Sequence, residues 1–399
     1  MLDDMRGKRV IGVAGVLAGI LAVASAATIE LRSGDGVLGL DGATGSVVRF
    51  ADAGRGLEFA GGGEGLFRLV VIPRGGDPLK PLELSSREAK AVRRLDGEGL
   101  RLRFERIGGR DLSATCTVEA GAGGFFRFRI GVEGDAGTIL ERVDYPLLPL
   151  RAPLEGDGAG DALVLGTTKG GVLERPHQWK NGRYAAGTQP GNLAAQFGCY
   201  YGPEGGVVTF CEDGAGHPKT LAAGRMSDGL ALGWRHLMRR DLKDAFALSF
   251  PVAVGVFRGT GGAGTDWRDA AAMYKAWALK QPWCATRFAD REDLPGWLKE
   301  GPAQVRFGRD WLGRPERIEG WLEKYWQKHF AGVPLVVTFW GWEGVATWVP
   351  PKYLPPYPSE EGLKRCVDAV RRAGGHAFFW PSGYQWCLTY GKREDGTFE

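Results

Sequence analysis

The spacing of apolar residues changes once along this chain, near Thr265. From Thr28 to about Phe257, short runs such as residues 100–104 and 125–130 alternate apolar with polar side chains and are bounded by Gly, Asp and Pro. This alternation is typical of antiparallel strands that bury one face. Glycine makes up 64 of the 399 residues, about twice the usual share of roughly 7%, which favours many tight turns. This part of the chain therefore predicts a large antiparallel β-sandwich.

A helix is predicted directly after the change in spacing. Apolar residues recur at helical intervals over Trp267–Ala278, and Thr265 or Asp266 stands where it can cap the first turn. The helix must end before Pro282, because proline cannot continue it. We therefore assign residues 261–295 to a linker that contains one helix.

Strands and helices alternate in the last part of the chain. Strands are predicted at residues 303–307, 335–340 and 376–380, and helices at about 316–329 and 360–373. Such alternation is typical of parallel βαβ units. We interpret residues 296–399 as the first units of a TIM-type (β/α) barrel, which needs eight strands to close. The predicted fold class is thus α+β and multidomain, with a β-sandwich at 27–260, the linker, and a barrel that is truncated in this chain.

The first residues carry the pattern of a signal peptide. A basic start at residues 1–9 is followed by an uninterrupted run of small and apolar residues at 10–24, and Ala24-Ser25-Ala26 supplies a small-x-small cleavage site. The alternative is an uncleaved anchor, but the apolar run is shorter than the roughly 20 residues that span a bilayer as a helix. We expect cleavage of residues 1–26, no stable membrane anchor afterwards, and a secreted or periplasmic protein that begins at Ala27.

Charge and cysteine content exclude several classes of function. Lys and Arg number 51 against 47 Asp and Glu, and no basic run is dense enough to follow a phosphate backbone, so nucleic acid is not an expected partner. No Cys-x-x-Cys or histidine pair stands at metal-ligand spacing, so neither a metal nor another cofactor is expected.

Six cysteines are too few for a fold built on disulfides. Cys199 and Cys211 flank a predicted turn at Pro203–Gly206 and would face each other in a symmetric hairpin. A bridge between them and two buried free thiols both remain open, and the free thiols are favoured.

Aromatic side chains and carboxylates follow the predicted parallel strands. The candidate binding residues are Asp310, Trp340, Trp342, Glu343, Trp348, Trp380, Tyr384 and Trp386. Strand ends of this kind are where ligands bind in α/β folds, and flat rings with polar neighbours suit sugars. Glu343 and Asp310 are the carboxylates best placed for glycoside hydrolysis, with salt-bridge or hydrogen-bond roles as the alternative. Alternatively, the aromatic rings have only a structural role, in which they close the barrel mouth or pack against the sandwich.

The chain also resembles known families. Trp297-Leu298-Lys299-Glu300-Gly301-Pro302, Trp340-Gly341-Trp342-Glu343 and Pro381-Ser382-Gly383-Tyr384 are similar to an uncharacterised bacterial family, domain of unknown function 6259. The order of a secreted sandwich, the helix at 266–278 and a parallel barrel is similar to the layout of retaining α-glycosidases, such as α-galactosidases and endo-α-N-acetylgalactosaminidases. In those enzymes the catalytic residues usually lie on later barrel strands, so the resemblance implies a fold and a substrate class and assigns no catalytic residue here.

Two functions follow from these observations. The first is the N-terminal portion of a secreted glycoside-hydrolase-like protein that acts on a glycan. The alternative is a non-catalytic carbohydrate-binding or structural protein of the same architecture. Carboxylates on the fourth to sixth barrel strands would favour the enzyme.

Overall fold

The computed structural model describes residues 28–96, 99–121, 123–180, 182–260, 264–344 and 353–381. The expected signal peptide and three of the candidate binding residues, Trp348, Tyr384 and Trp386, lie outside these ranges. The chain divides into two compact units, Met1–Pro282 and Trp283–Glu399. Within the described ranges, no helix has both the length and the apolar character needed to cross a membrane.

The first unit consists almost entirely of strands. They are β1 (Thr28–Ser33), β2 (Gly36–Asp41), β3 (Val47–Asp52), β4 (Leu57–Glu58), β5 (Arg68–Ile72), β6 (Leu82–Ser85), β7 (Ala91–Leu95), β8 (Leu100–Glu105), β9 (Leu112–Ala120), β10 (Phe125–Gly134), β11 (Ile139–Leu150), β12 (Ala162–Thr167), β13 (Val172–Glu174), β14 (Tyr184–Gln189), β15 (Leu193–Tyr201), β16 (Gly206–Cys211), β17 (Lys219–Met226), β18 (Gly229–Asp241), β19 (Phe246–Ala247) and β20 (Val252–Phe257). Short 3-10 turns lie at Ser86–Glu88, Ile107–Gly109 and Pro176–Gln178.

These strands form three antiparallel sheets, which confirms the predicted strand type. One has four strands in the order β1-β2-β3-β4. A ten-stranded sheet has the order β13-β12-β15-β16-β20-β10-β9-β8-β7, with β19 paired to β10. A six-stranded sheet has the order β14-β17-β18-β11-β5-β6. Many neighbours in these sheets are distant in sequence, such as β16 and β20.

The two larger sheets share one hydrophobic core. Alternation along β8 buries Leu100, Leu102 and Phe104, while the residues between them stay partly exposed. Strand β18 of the six-stranded sheet contributes Trp234, whose indole Nε1 donates a hydrogen bond at 3.0 Å to the hydroxyl of Thr209 on β16. Because both groups are buried, this bond satisfies two polar atoms and links the two sheets through the core.

Helix α1 (Trp267–Ala278) confirms the predicted helix. The Asp266 side chain caps its first turn, and Asp269 completes a capping box. The helix packs on the ten-stranded sheet, where the Tyr274 ring stacks on Phe197 with centroids 5.3 Å apart. It is therefore part of the first unit.

The second unit is a small parallel α/β layer. Its strands β21 (Ala303–Phe307), β22 (Leu335–Phe339) and β23 (His376–Phe379) pair in that order, all parallel. Its helices are α2 (Gly296–Lys299), α3 (Arg309–Leu312), α4 (Pro315–Trp321), α5 (Gln327–His329) and α6 (Glu360–Arg372), and a π-turn at Leu322–Trp326 joins α4 to α5. Two 3-10 turns, Pro282–Cys284 and Phe288–Asp290, lie before α2.

One face of this parallel sheet is covered by helices. Val337 and Phe339 of β22 are fully buried in a cluster with Cys366 and Val370 of α6. On the opposite face, Phe378 remains half exposed. The predicted alternation of strand and helix is confirmed, and the assignment of these strands to the start of a barrel stays a prediction.

The described cysteines are free. Cys199 on β15 lies opposite Val208, and Cys211 on β16 lies opposite Val252 of β20. The turn therefore does not place the two cysteines opposite each other. Both thiols are buried, as the favoured alternative predicts, and burial raises the pKa of each well above that of a free cysteine.

Candidate functional site

The carboxyl ends of β21, β22 and β23 meet at one edge of the parallel sheet. Phe307, Phe339 and Phe379 are paired in register, so the residues that follow them lie side by side. Trp340 and Trp380 directly follow two of these phenylalanines. This is the edge at which open α/β sheets bind their ligands.

Arg309 fixes the turn that follows β22. Its guanidinium donates hydrogen bonds to the carbonyl oxygens of Gly341 at 3.0 Å, Glu343 at 2.8 Å and Gly344 at 3.2 Å. The same group lies over the ring of Tyr357, 3.7 Å from its centroid. Three carbonyl oxygens of this turn thus accept hydrogen bonds from one cation, and such charge-assisted bonds are stronger than neutral ones.

Trp342 joins the ends of β22 and β23. Its indole Nε1 donates a hydrogen bond at 2.9 Å to the carbonyl oxygen of Trp380. Its ring stacks on Tyr353, with centroids 5.5 Å apart, and meets Phe379 edge to face at 5.3 Å. The side chain is half-buried. Trp342 therefore contributes to packing at this edge, and part of its surface stays accessible.

Trp380 is the most accessible of the described candidate tryptophans. Its side chain is 48% exposed and stands beside Phe378, which is 50% exposed. Trp340 is half-buried, and the guanidinium of Arg306 lies over its ring at 4.9 Å. An exposed ring and a charged hydrogen-bond donor at one sheet edge match the needs of a sugar, which presents apolar C–H faces and hydroxyl edges.

The two candidate carboxylates have different surroundings. Glu343 is fully buried in the turn held by Arg309. Asp310 is exposed in the first turn of α3. Their membership of a binding site stays a prediction. Within the described ranges, no group of three or more His, Cys, Asp or Glu side chains is arranged to hold a metal ion.

Arg309, Arg306, Tyr353 and Tyr357 belong to this edge but were not among the candidates. The position of Arg309, two residues after β21, was a usable signal, because side chains just beyond parallel strands face the ligand edge. Tyr353 and Tyr357 come from the segment between β22 and α6, and their place at the edge depends on the path of that segment. The backbone N–H of Tyr357 donates to the carbonyl oxygen of Trp342 at 2.7 Å.

Comparison with known proteins supports the resemblance. Residues 246–395 match the model of a family described as "Domain of unknown function (DUF6259)". No curated protein matches the chain.

Solved structures show a related fold. The α-N-acetylgalactosaminidase NagBb from Bifidobacterium bifidum, in complex with GalNAc, is similar with a TM-score of 0.55 at 14% identity. The similarity covers 92% of this chain and 62% of that enzyme. The ligand-free form of the same enzyme gives a TM-score of 0.50 at 13% identity, over 92% of this chain and 63% of that one. This chain thus spans less than two thirds of the length of the enzyme it resembles, and the two share a fold.

Proposed function

We propose that this chain is the N-terminal portion of a secreted glycoside-hydrolase-like protein that acts on a glycan. In this proposal the first unit is a β-sandwich and the second unit is the start of a TIM-type barrel. The fold similarity to an α-N-acetylgalactosaminidase supports this order of elements. The sugar binds at the carboxyl edge of β21, β22 and β23.

The observation that carries the proposal is the pairing of Trp342 and Trp380 at this edge. The hydrogen bond from Trp342 to the Trp380 carbonyl fixes one ring, and the half-exposed Trp380 ring lies on the neighbouring strand end. A ring that is already fixed binds a sugar at a lower entropic cost, because its side chain loses little conformational freedom on binding. At the same edge the guanidinium of Arg306, which lies over the Trp340 ring, adds a hydrogen-bond donor.

Hydrolysis of a glycosidic bond requires two carboxyl groups across the bond, about 5 to 10 Å apart. Glu343 is buried and Asp310 is exposed, so neither is given a catalytic role here. In the proposed protein the described residues bind and orient the sugar, and the catalytic pair comes from later barrel strands.

The second candidate function is a carbohydrate-binding protein without catalysis. The burial of Glu343 favours it, because this carboxylate is not presented to solvent. Measuring turnover of aryl α- and β-glycosides by the protein encoded by the complete gene distinguishes the two. Turnover that survives Glu343→Gln and is lost when a carboxylate on a later strand is replaced supports the hydrolase. Absence of turnover together with sugar binding supports the binding protein.

The binding site is tested by titrating the protein with neutral methyl glycosides. Trp380→Ala should weaken binding at least tenfold. Trp283→Ala is the matched control, since Trp283 is exposed to nearly the same extent, 46% against 48%. Equal affinities of the two variants would reject the strand-end site. Export is tested separately by mass spectrometry of the secreted or periplasmic protein, which should begin at Ala27.

A further inference from the structure

A cleft lies on the outer face of the six-stranded sheet in the first unit, on residues that belong to no part of the strand-end site. It encloses about 100 Å³. Its lining combines small residues with Tyr184 and charged side chains, among them Arg235 and Glu64. This volume is below the usual range for small-molecule sites, about 300–1,000 Å³, so a ligand would lie only partly within the cleft.

Strand register explains why the cleft forms. Ala222 pairs with Gly233, and Gly224 pairs with Ala231, so four small residues form a square on adjacent strands β17 and β18. Tyr184 on β14 pairs with Gly224 and stands at one side of the square. Glycine and alanine are poor strand formers on an exposed face, and a glycine inside a strand often marks close approach of a ligand or another backbone.

Packing requires a glycine at position 233 but not at position 224. A Cβ at Gly233 would lie 2.8 Å from the Leu147 side chain and 2.9 Å from the Pro146 carbonyl oxygen, so packing alone excludes a larger residue. A Cβ at Gly224 would meet only the Cβ of Tyr184, at 3.8 Å, which is an ordinary contact. Neither packing among the described residues nor backbone geometry therefore requires glycine at 224, and its absent side chain leaves the floor of the cleft open.

The polar wall of the cleft retains unused hydrogen-bonding capacity. The Arg235 Nε lies 3.9 Å from Asp144, which is too long for a hydrogen bond. Arg68 approaches Glu64 at 3.8 Å and Glu83 at 3.5 Å. Within the described part of the chain, these guanidinium groups therefore have donors left over, and Glu64 has acceptor oxygens left over.

From this geometry we propose that the cleft binds one unit of a neutral saccharide. The exposed face of Tyr184, 67% accessible, stacks on the C–H face of the sugar ring. The open floor at Gly224 lets the ring lie close to the sheet. Arg235 donates hydrogen bonds to the sugar hydroxyl groups and Glu64 accepts hydrogen bonds from them, since a hydroxyl group is both a donor and an acceptor. Two guanidinium groups and two carboxylates line the cleft, so their charges balance and an anionic ligand is not favoured.

The proposal is tested on the full chain with neutral methyl glycosides of galactose, N-acetylgalactosamine, glucose and mannose. Binding is followed by saturation-transfer NMR in the Trp380→Ala variant, so that the strand-end site does not contribute. Tyr184→Ala and Gly224→Leu should each weaken the remaining binding at least tenfold. Tyr325→Ala is the matched control, because Tyr325 is also exposed, at 56%, and lies in the other unit.

Because the Trp380→Ala variant removes the strand-end site, the results for the cleft can be told apart from the results for that site. Binding that persists in Trp380→Ala and disappears on adding Tyr184→Ala supports the cleft, whatever becomes of the proposed function. If no glycoside binds to Trp380→Ala, or if Tyr184→Ala and Gly224→Leu bind as tightly as their parent, the proposal is wrong. Binding of glucuronic or N-acetylneuraminic acid in preference to the neutral glycosides would also overturn it. If Gly224→Leu lowers the melting temperature, the smaller substitution Gly224→Ala replaces it in the binding test.

Discussion

The guanidinium of Arg309 donates a hydrogen bond to the backbone carbonyl oxygen of Glu343, with an N–O distance of 2.8 Å. The two residues belong to segments that follow neighbouring parallel strands, and the bond ties these segments together. Arg309 also donates hydrogen bonds to the carbonyl oxygens of Gly341 and Gly344, so one side chain supports three carbonyl oxygens of this turn.

Replacing Arg309 with methionine should destabilise the second unit and weaken sugar binding at the strand ends. A hydrogen bond from a charged donor contributes about 1.5–3 kcal/mol, so we expect a loss of about 2 kcal/mol or more in unfolding free energy, measured by urea denaturation. Arg317→Met is the control, because Arg317 lies over the Trp311 ring and outside this turn. Equal stability of both variants would show that the turn does not depend on Arg309.

A buried ion pair is expected to stabilise the first unit. The Lys219 Nζ lies 2.6 Å from a carboxylate oxygen of Asp213, and both side chains are inaccessible. Lys219→Met leaves a buried carboxylate without its cation, which costs about 3–5 kcal/mol. Lys364→Met, at an exposed pair with Asp368 of the same length, should change stability by no more than about 1 kcal/mol. Similar melting temperatures for the two variants would contradict the prediction.

The imidazole of His236 should make stability depend on pH. Burial lowers its pKa to about 4, and the nearby Lys219 acts in the same direction. The unfolded chain takes up this proton below about pH 6.5, but the folded chain does so only near 4. The free energy of unfolding should therefore fall by about 3 kcal/mol as pH drops through this window.

The variant His236→Gln isolates this contribution. Glutamine can still donate to the Tyr145 carbonyl oxygen, which lies 2.9 Å from the histidine Nε2, but it does not titrate. Urea denaturation at several pH values should show that the free energy of unfolding depends less on acid pH in the variant. The contributions of other titratable groups are the same in both proteins and cancel in the comparison. Parallel pH profiles for the two proteins would mean that His236 is not the group responsible.

Cys116, Cys199 and Cys211 should resist thiol reagents in the folded protein. All three are buried, and burial raises the pKa of each thiol, which suppresses the reactive thiolate. Mass spectrometry after alkylation under native conditions should find them unmodified. Among the cysteines that the structure describes, Cys284, which is partly exposed, should be labelled first. A Cys199–Cys211 disulfide peptide would contradict the observed strand register.

Local patterns in the sequence predicted the elements closely. The alternation at 100–104 anticipated β8, the helical spacing after Asp266 anticipated α1, and the three parallel strands were placed within one residue of their observed bounds. These features depend on consecutive residues, because a strand repeats every two residues and a helix every 3.6. The tryptophans after strand ends were visible for the same reason.

Contacts between distant residues were decided by the tertiary structure. The bond from Trp342 to Trp380 requires β22 to lie beside β23, and the cleft at Gly224 requires the register between β17 and β18. Likewise, Cys199 meets Val208 because the turn sets the pairing. The sequence by itself determined which residues form strands and helices and which face is apolar. Which side chains meet was determined only by the order and register of strands, because these depend on packing across the whole core.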